Sequence, residues 1–198
     1  VWREMLAGLD EPTLIAPTAS AHGPIATCSR LLDAELTARL EAQARRLGVT
    51  MNTIVQSAWA LWLAHRTGQS DVVFGTTVSG RPPELPGVER MIGLFINTLP
   101  LRLRVDPAQR VEAFLADTQA QLTAMMDHQH LPLNELQRLA GHARLFDTLT
   151  VFENYPTGPA DNGDDSAALQ IERRGQHGGD TVHYPIGLAA VPGERLKL

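Results

Sequence analysis

Residues 94–105 read L-F-I-N-T-L-P-L-R-L-R-V, and residues 71–78 read D-V-V-F-G-T-T-V. In the first stretch Leu99, Leu101, Leu103 and Val105 alternate with Pro100, Arg102 and Arg104. A period of two gives a strand one buried and one polar face. Pro100 brings no amide proton to a sheet ladder, which predicts an edge strand or a bend at that point. The second stretch is a β-branched run bounded by turn formers, again a strand. Between them, residues 79–87 hold three prolines and two glycines, a composition that makes a loop.

Outward from this pair the pattern turns helical. Leu36, Leu40, Ala44 and Leu47 share one helix face, Glu41 and Arg45 stand at i,i+4 spacing, and Gly48 supplies a stop. Thr50 is placed to cap a second helix ending at Gly68. Its Ile54, Ala58, Leu61 and Leu63, with Trp59 and Trp62, are apolar almost all round. That predicts burial on most sides, with both tryptophans in the core. Asp106-Pro107 opens a long amphipathic helix through Val111, Phe114, Leu115, Leu122 and Met125, and a short helix follows over Pro132–Ala140. Further strands are expected over Phe146–Phe152, Leu169–Arg174, Val182–Val191 and from Arg195 onward. The acidic run P-T-G-P-A-D-N-G-D-D-S (residues 156–166) carries no large apolar side chain and predicts a mobile loop over 156–167. Its D-N-G-D-D lacks the 12-residue ligand spacing of a calcium loop. The sum is α/β: a two-layer mixed β-sheet packed with helices.

Bulk properties exclude several classes. The formal charge of −5 over 198 residues gives no general reason to bind nucleic acid or an anionic membrane. Cys28 is the single cysteine, so neither an internal disulfide nor a thiolate metal cluster forms, which fits a reducing cytoplasm. No apolar run approaches the roughly 20 residues of a membrane span, and no signal peptide is visible. The chain opens at Val1-Trp2 without an initiator Met and stops at Leu198 in a strand-like stretch; we expect a piece of a longer polypeptide.

Six ordered segments together resemble nonribosomal peptide synthetase condensation domains, members of the chloramphenicol-acetyltransferase-like superfamily. They are W-R-E-M-L-A-G (2–8), D-V-V-F-G-T-T-V-S-G-R-P (71–82), I-G-L-F-I-N-T-L-P-L-R (92–102), H-Q-H-L-P-L (128–133), L-F-D-T-L-T-V-F-E-N-Y (145–155) and H-Y-P-I-G-L (183–188). His130 stands where an acidic residue is common in that family, and Ala143-Arg144 where many relatives have Asn-Pro. The F-E-N-Y ending is similar to chain-elongating rather than epimerising members. The resemblance implies the C-terminal lobe of such a domain, with residues 1–30 as interlobe linker and 31–198 as the lobe, including a floor loop over 71–90. The family carries its catalytic histidine in an H-H-x-x-x-D-G motif of the N-terminal lobe. Of the seven histidines here none are adjacent, so the resemblance implies no catalytic residue in this chain and a fragment inactive alone. It implies amide-bond formation between a carrier-bound acyl thioester and an acceptor amine. The implied partners are the N-terminal lobe, donor and acceptor peptidyl carrier proteins and an adjacent adenylation domain. No cofactor is expected on the chain itself, only the 4'-phosphopantetheine arms of the carriers.

Such a reaction needs a neutral amine held near the thioester carbon, water excluded and donors near the developing oxyanion. Candidate tunnel or interlobe residues are Ser79, Gly80, Arg81, Pro82, Gly93, Phe95, Asn97 and Thr98. Gly80 lets backbone approach, and Arg81 either pairs with a carboxylate or phosphate or anchors a tight interlobe turn. Asn97 either faces the tunnel or makes a sheet-edge backbone bond; Gly93 serves close packing or a bend. His128 and His130 at i,i+2 do not share a helix face and read as a solvated helix end, while His183 reads as a packed strand histidine. Two rival functions remain open: a non-catalytic docking platform for tailoring or carrier partners, and a superfamily acyltransferase using coenzyme A.

Overall fold

The computed structural model describes residues 1–16, 26–81, 85–154 and 183–198. Its elements in chain order are α1 (Trp2–Leu6), α2 (Ala34–Leu47), α3 (Met51–Thr67), β1 (Asp71–Val78), β2 (Asn97–Arg104), α4 (Val111–Met125), α5 (Leu133–Ala140), β3 (Thr148–Phe152) and β4 (Ile186–Ala190). Short 3-10 turns occupy Val88–Arg90 and Met126–His128.

The four strands form one mixed sheet in the order β2-β1-β3-β4. β1 and β2 run antiparallel from Asp71↔Arg104 to Val78↔Asn97, whereas β1–β3 and β3–β4 are parallel. β2 lies at the edge, as Pro100 predicts, and Pro100 sits opposite Gly75. The alternation places Val72 and Phe74 of β1 with Leu99, Leu101 and Leu103 of β2 on one face. There they meet Ala60 and Leu63 of α3, Phe114 and Met125 of α4 and Leu136. Each of these fully buried large side chains contributes about 1.5–3 kcal/mol. The other face carries Val73, which packs with Leu9, Leu145 and Phe146. Gly75 is required there, since a Cβ would stand 2.6 Å from the Phe146 ring.

The helix signals act as expected at α2 and α3. Asp33 Oδ1 accepts from Leu36 N and Thr50 Oγ1 from Thr53 N, satisfying first-turn donors. Gly48 and Gly68 close the two helices in the left-handed conformation, and Glu41 pairs with Arg45 at 3.7 Å.

Several expectations need correction. α4 begins at Val111; Asp106 and Pro107 instead form a turn in which Asp106 Oδ1 accepts from Ala108 N. β2 begins at Asn97, three residues later than the apolar run suggests, because residues 94–96 leave the ladder. The strand near the C-terminus spans 186–190, and the stretch from Arg195 makes only bridges of Lys197 with Val191 and Leu31. α3 is not buried on most sides: Leu61 and Trp62 are exposed. The side of α3 turned from the sheet has no covering layer among the described residues, and Trp62 stacks on Trp59 at 4.5 Å instead. The supposedly polar face of β2 is buried at Pro100 and Arg102. The expected strand over 169–174 and loop over 156–167 lie outside the described residues.

Candidate functional site

The connection from β1 to β2 gathers most of the candidate residues. Ser79, Gly80 and Arg81 leave the end of β1, and Gly93, Phe95, Asn97 and Thr98 return into β2; Pro82 lies outside the described residues. At Gly80 the backbone has φ +63°, and a Cβ would fall 1.9 Å from the carbonyl oxygen of Phe95. Only glycine tolerates both the conformation and the approach. Arg81 then clasps the loop to itself. Its Nη1 donates to the Val88 carbonyl, its Nη2 to the Met91 carbonyl at 3.1 Å, and the guanidinium lies 4.2 Å over the Phe95 ring. Gly93 underlies the same ring.

The clasped loop turns apolar side chains outward. Ile92 is fully exposed and Leu94 is 89% exposed, with Leu85, Met91 and Ile96 also open. An exposed cluster of this kind marks an interaction surface rather than a stable solvent face. Covering Ile92 and Leu94 alone is worth about 1.5–3 kcal/mol each.

Asn97 anchors the return of the loop. Its Nδ2 donates to the carbonyls of Gln129 and Leu131, both at 2.8 Å, and its Oδ1 accepts from Thr98 N. The half-buried amide thus spends its hydrogen-bonding groups on backbone. Trp2 Nε1 donates to the adjacent His128 carbonyl at 3.1 Å. Segments around residues 2, 97 and 128–131, far apart in sequence, therefore meet at one corner of the structure.

At the opposite end of β1 the structure pairs Asp71 with Arg102, which the strand alternation places on a polar face. Arg102, 4% exposed, donates Nε and Nη2 to the two oxygens of Asp71 at 2.8 and 2.6 Å. Its remaining donors go to the carbonyls of Met5, Ala7 and Gly8. The rigid five-donor fork of arginine suits this end-on and side-on use together. Burial alone pushes the Asp71 carboxyl up, but the hydrogen bond and charge of Arg102, aided by Arg104, outweigh it and hold the group below its ordinary value. The one legible signal was the pairing of an acid opening β1 with basic residues closing β2. A cleft of about 300 Å³ beside this pair is lined by Glu4, Arg104, Phe114 and Asp117 among others.

Histidine chemistry is not assembled here among the described residues. His65, His130 and His183 are exposed, His128 is half-buried at the end of its turn, and His142 is bonded to the Leu9 carbonyl. His183 thus lies at the surface, not packed in a strand. No group of three or more His, Cys, Asp or Glu converges on a metal position among the described residues. No described helix is long and apolar enough to cross a membrane.

The fold as a whole recurs in known proteins. The chain is 39% identical, over 99% of its length, to chondramide synthase cmdD of Chondromyces crocatus, and 34% identical, over 100%, to bacitracin synthase 3 of Bacillus licheniformis. It spans only 5% and 3% of those two proteins. Among solved structures, the X-domain from teicoplanin biosynthesis superposes with a TM-score of 0.73 at 23% identity, and the first condensation domain of the CDA synthetase with 0.72 at 20%. Each covers 99% of this chain, which matches 46% and 42% of theirs. The condensation-domain family profile matches residues 2–198; the chain belongs to the condensation-domain family of peptide synthetases.

Proposed function

We propose that this chain is the C-terminal lobe of a condensation domain. On this reading it builds one wall and the floor of a channel in which a carrier-bound acyl thioester meets a carrier-bound amine. The observation that carries the reading is the outward apolar rim of the 85–96 loop, in a chain that matches fewer than half the residues of the structures it resembles. Such a rim is a surface that a second half would cover.

The chemistry follows from what each part supplies. The amine lone pair attacks the thioester carbon, a C–N bond forms, the C–S bond breaks and the thiol leaves with a proton. The group that handles the proton belongs to the other half, in its H-H-x-x-x-D-G motif. This chain excludes water and fixes the two reactants against each other, the contribution of proximity and a dry site. Arg81 is spent on the Val88 and Met91 carbonyls, so a pantetheine phosphate is not assigned to it. A pantetheine arm passing this loop would meet the apolar side chains of Ile92, Leu94 and Ile96. Ser79, Gly80, Arg81, Gly93, Phe95, Asn97 and Thr98 shape and anchor the loop; Pro82 is assigned to the same segment.

The test joins an H-H-x-x-x-D-G-bearing N-terminal half to this chain and assays amide formation between two loaded carriers. The joined domain is expected to form product and the 198-residue chain none. A folded, joined domain that binds both carriers yet forms no amide favours the docking-platform reading instead.

A further inference from the structure

Residues 2–16 carry few of the marks of a linker. Besides the Trp2 and Arg102 bonds, the Leu9 carbonyl is 2.9 Å from His142 Nε2, and the Pro12 carbonyl accepts from Gln69 Nε2 at 3.2 Å. Trp2, Leu6 and Leu9 are buried. The decisive contact is at Thr13. β1 and β3 pair only at Gly75↔Leu149 and Thr76↔Thr150. Away from that point Thr13 takes the place of a ladder partner between the two segments. Its N–H donates to the Leu145 carbonyl at 2.9 Å, its Oγ1 accepts from Val73 N at 2.9 Å, and it bridges in parallel with Phe146. Thr13 is wholly buried. Immediately beyond it Asp147, 1% exposed, accepts from Ile15 N at 2.9 Å and from Ala16 N at 2.7 Å.

We propose that residues 2–16 form a fixed rail of this lobe, wedged into the sheet by Thr13 and held by Arg102 and Asp147. Thr13 is thereby a positioning residue that sets where the other half of the domain sits. A hinge needs a stretch of few buried contacts whose dihedrals can change cheaply. This stretch is the reverse: its carbonyls and amides are paired to Arg102 of β2 and the Leu145–Asp147 segment, the Thr13 hydroxyl to β1, and bending it exposes buried groups. Motion between the halves is therefore accommodated elsewhere. The functional part of this inference rests on the two-half reading above; the rail itself does not.

Hydrogen exchange of the 198-residue chain tests the rail directly. The amides of Leu9, Thr13, Ile15 and Ala16 are expected to exchange as slowly as those of β1. Exchange about a hundredfold or more faster than β1 would overturn the rail, because such amides open locally. Thr13→Val keeps the shape and removes the acceptor of Val73 N; exchange of 13–16 should quicken about tenfold or more. Thr13→Ser keeps the hydroxyl and should restore protection, which separates the hydrogen bond from general damage to the fold. Equal protection in Thr13→Val and the parent would sink the wedge.

In the joined domain, one spin label on the exposed Cys28 and one on the N-terminal half read the placement. The Thr13→Val distance distribution should broaden and kcat for amide formation fall with KM for both carriers unchanged, while Thr13→Ser matches the parent. An unchanged distribution and kcat in Thr13→Val overturn the positioning role. Failure of the parent domain to form amide sinks the two-half reading alone, since the exchange data decide the rail without it.

Discussion

The two ends of β1 are built on opposite terms. At Asp71 the strand is closed inward: a carboxylate, a buried arginine and three backbone carbonyls satisfy one another. At Val78 the chain opens into a loop whose arginine holds it in shape while Ile92 and Leu94 face solvent. The first end contains its own partners; at the second, Ile92 and Leu94 are left uncovered by the described residues. One strand thus joins a region whose polar groups are paired internally to a region whose apolar side chains are exposed. Contrasting mutations at the two ends should behave accordingly.

The largest effect is expected at the closed end. Arg102→Met leaves Asp71 without its fork and three carbonyls without donors, and should cost about 3 kcal/mol or more. The urea midpoint of unfolding reads this, and Arg102→Lys should recover only a minor part because an ammonium cannot span both Asp71 oxygens and the Met5, Ala7 and Gly8 carbonyls. A midpoint within error of the parent would break the contrast.

A smaller and more local effect is expected at the open end. Gly80→Ala forces a Cβ onto the Phe95 carbonyl at a positive φ; the strain is about 1–3 kcal/mol if confined to the loop. Exchange should quicken across the described loop residues 85–96 while β1 stays protected, and the joined domain should lose activity. Loss of protection throughout β1 would show that the loop is part of the core.

The pH response sharpens the closed end further. Asp71 titrates below its ordinary value in the folded chain, so its contribution to stability is present above the unfolded value of about 4. It is lost as pH falls through the lower, folded value. Urea midpoints from neutral pH to about pH 2 should decline over that acid range, and Asp71→Asn should flatten this part of the decline. An identical slope in parent and variant would remove Asp71 from the account.

Much of this architecture was legible in the sequence, for local reasons. Alternation over 99–105 and the β-branched run at 71–78 reveal the hairpin, Pro100 places β2 at the edge, and Thr50, Gly48 and Gly68 mark helix ends by short-range chemistry. What escaped depends on residues distant in the chain. A period of two says which face Arg102 occupies, but not that residues 5–8 cover it. Apolar composition puts Trp62 on a helix, but cannot say that no described residue covers the side of that helix turned from the sheet. Asn97 announces a polar group in a strand, yet its partners are the carbonyls of Gln129 and Leu131, 32 and 34 positions away. At the site, glycine and arginine in S-G-R-P signal tight geometry; the Phe95 carbonyl and ring that they meet become visible only in three dimensions.

The most direct test of the open end is hydrogen exchange over residues 85–96, measured in the 198-residue chain and again with an N-terminal half joined to it. The account predicts rapid exchange around Ile92 and Leu94 in the chain alone and marked protection in the joined domain. The same rapid exchange in both, with the joined domain folded, would contradict the claim that this loop closes against a second half.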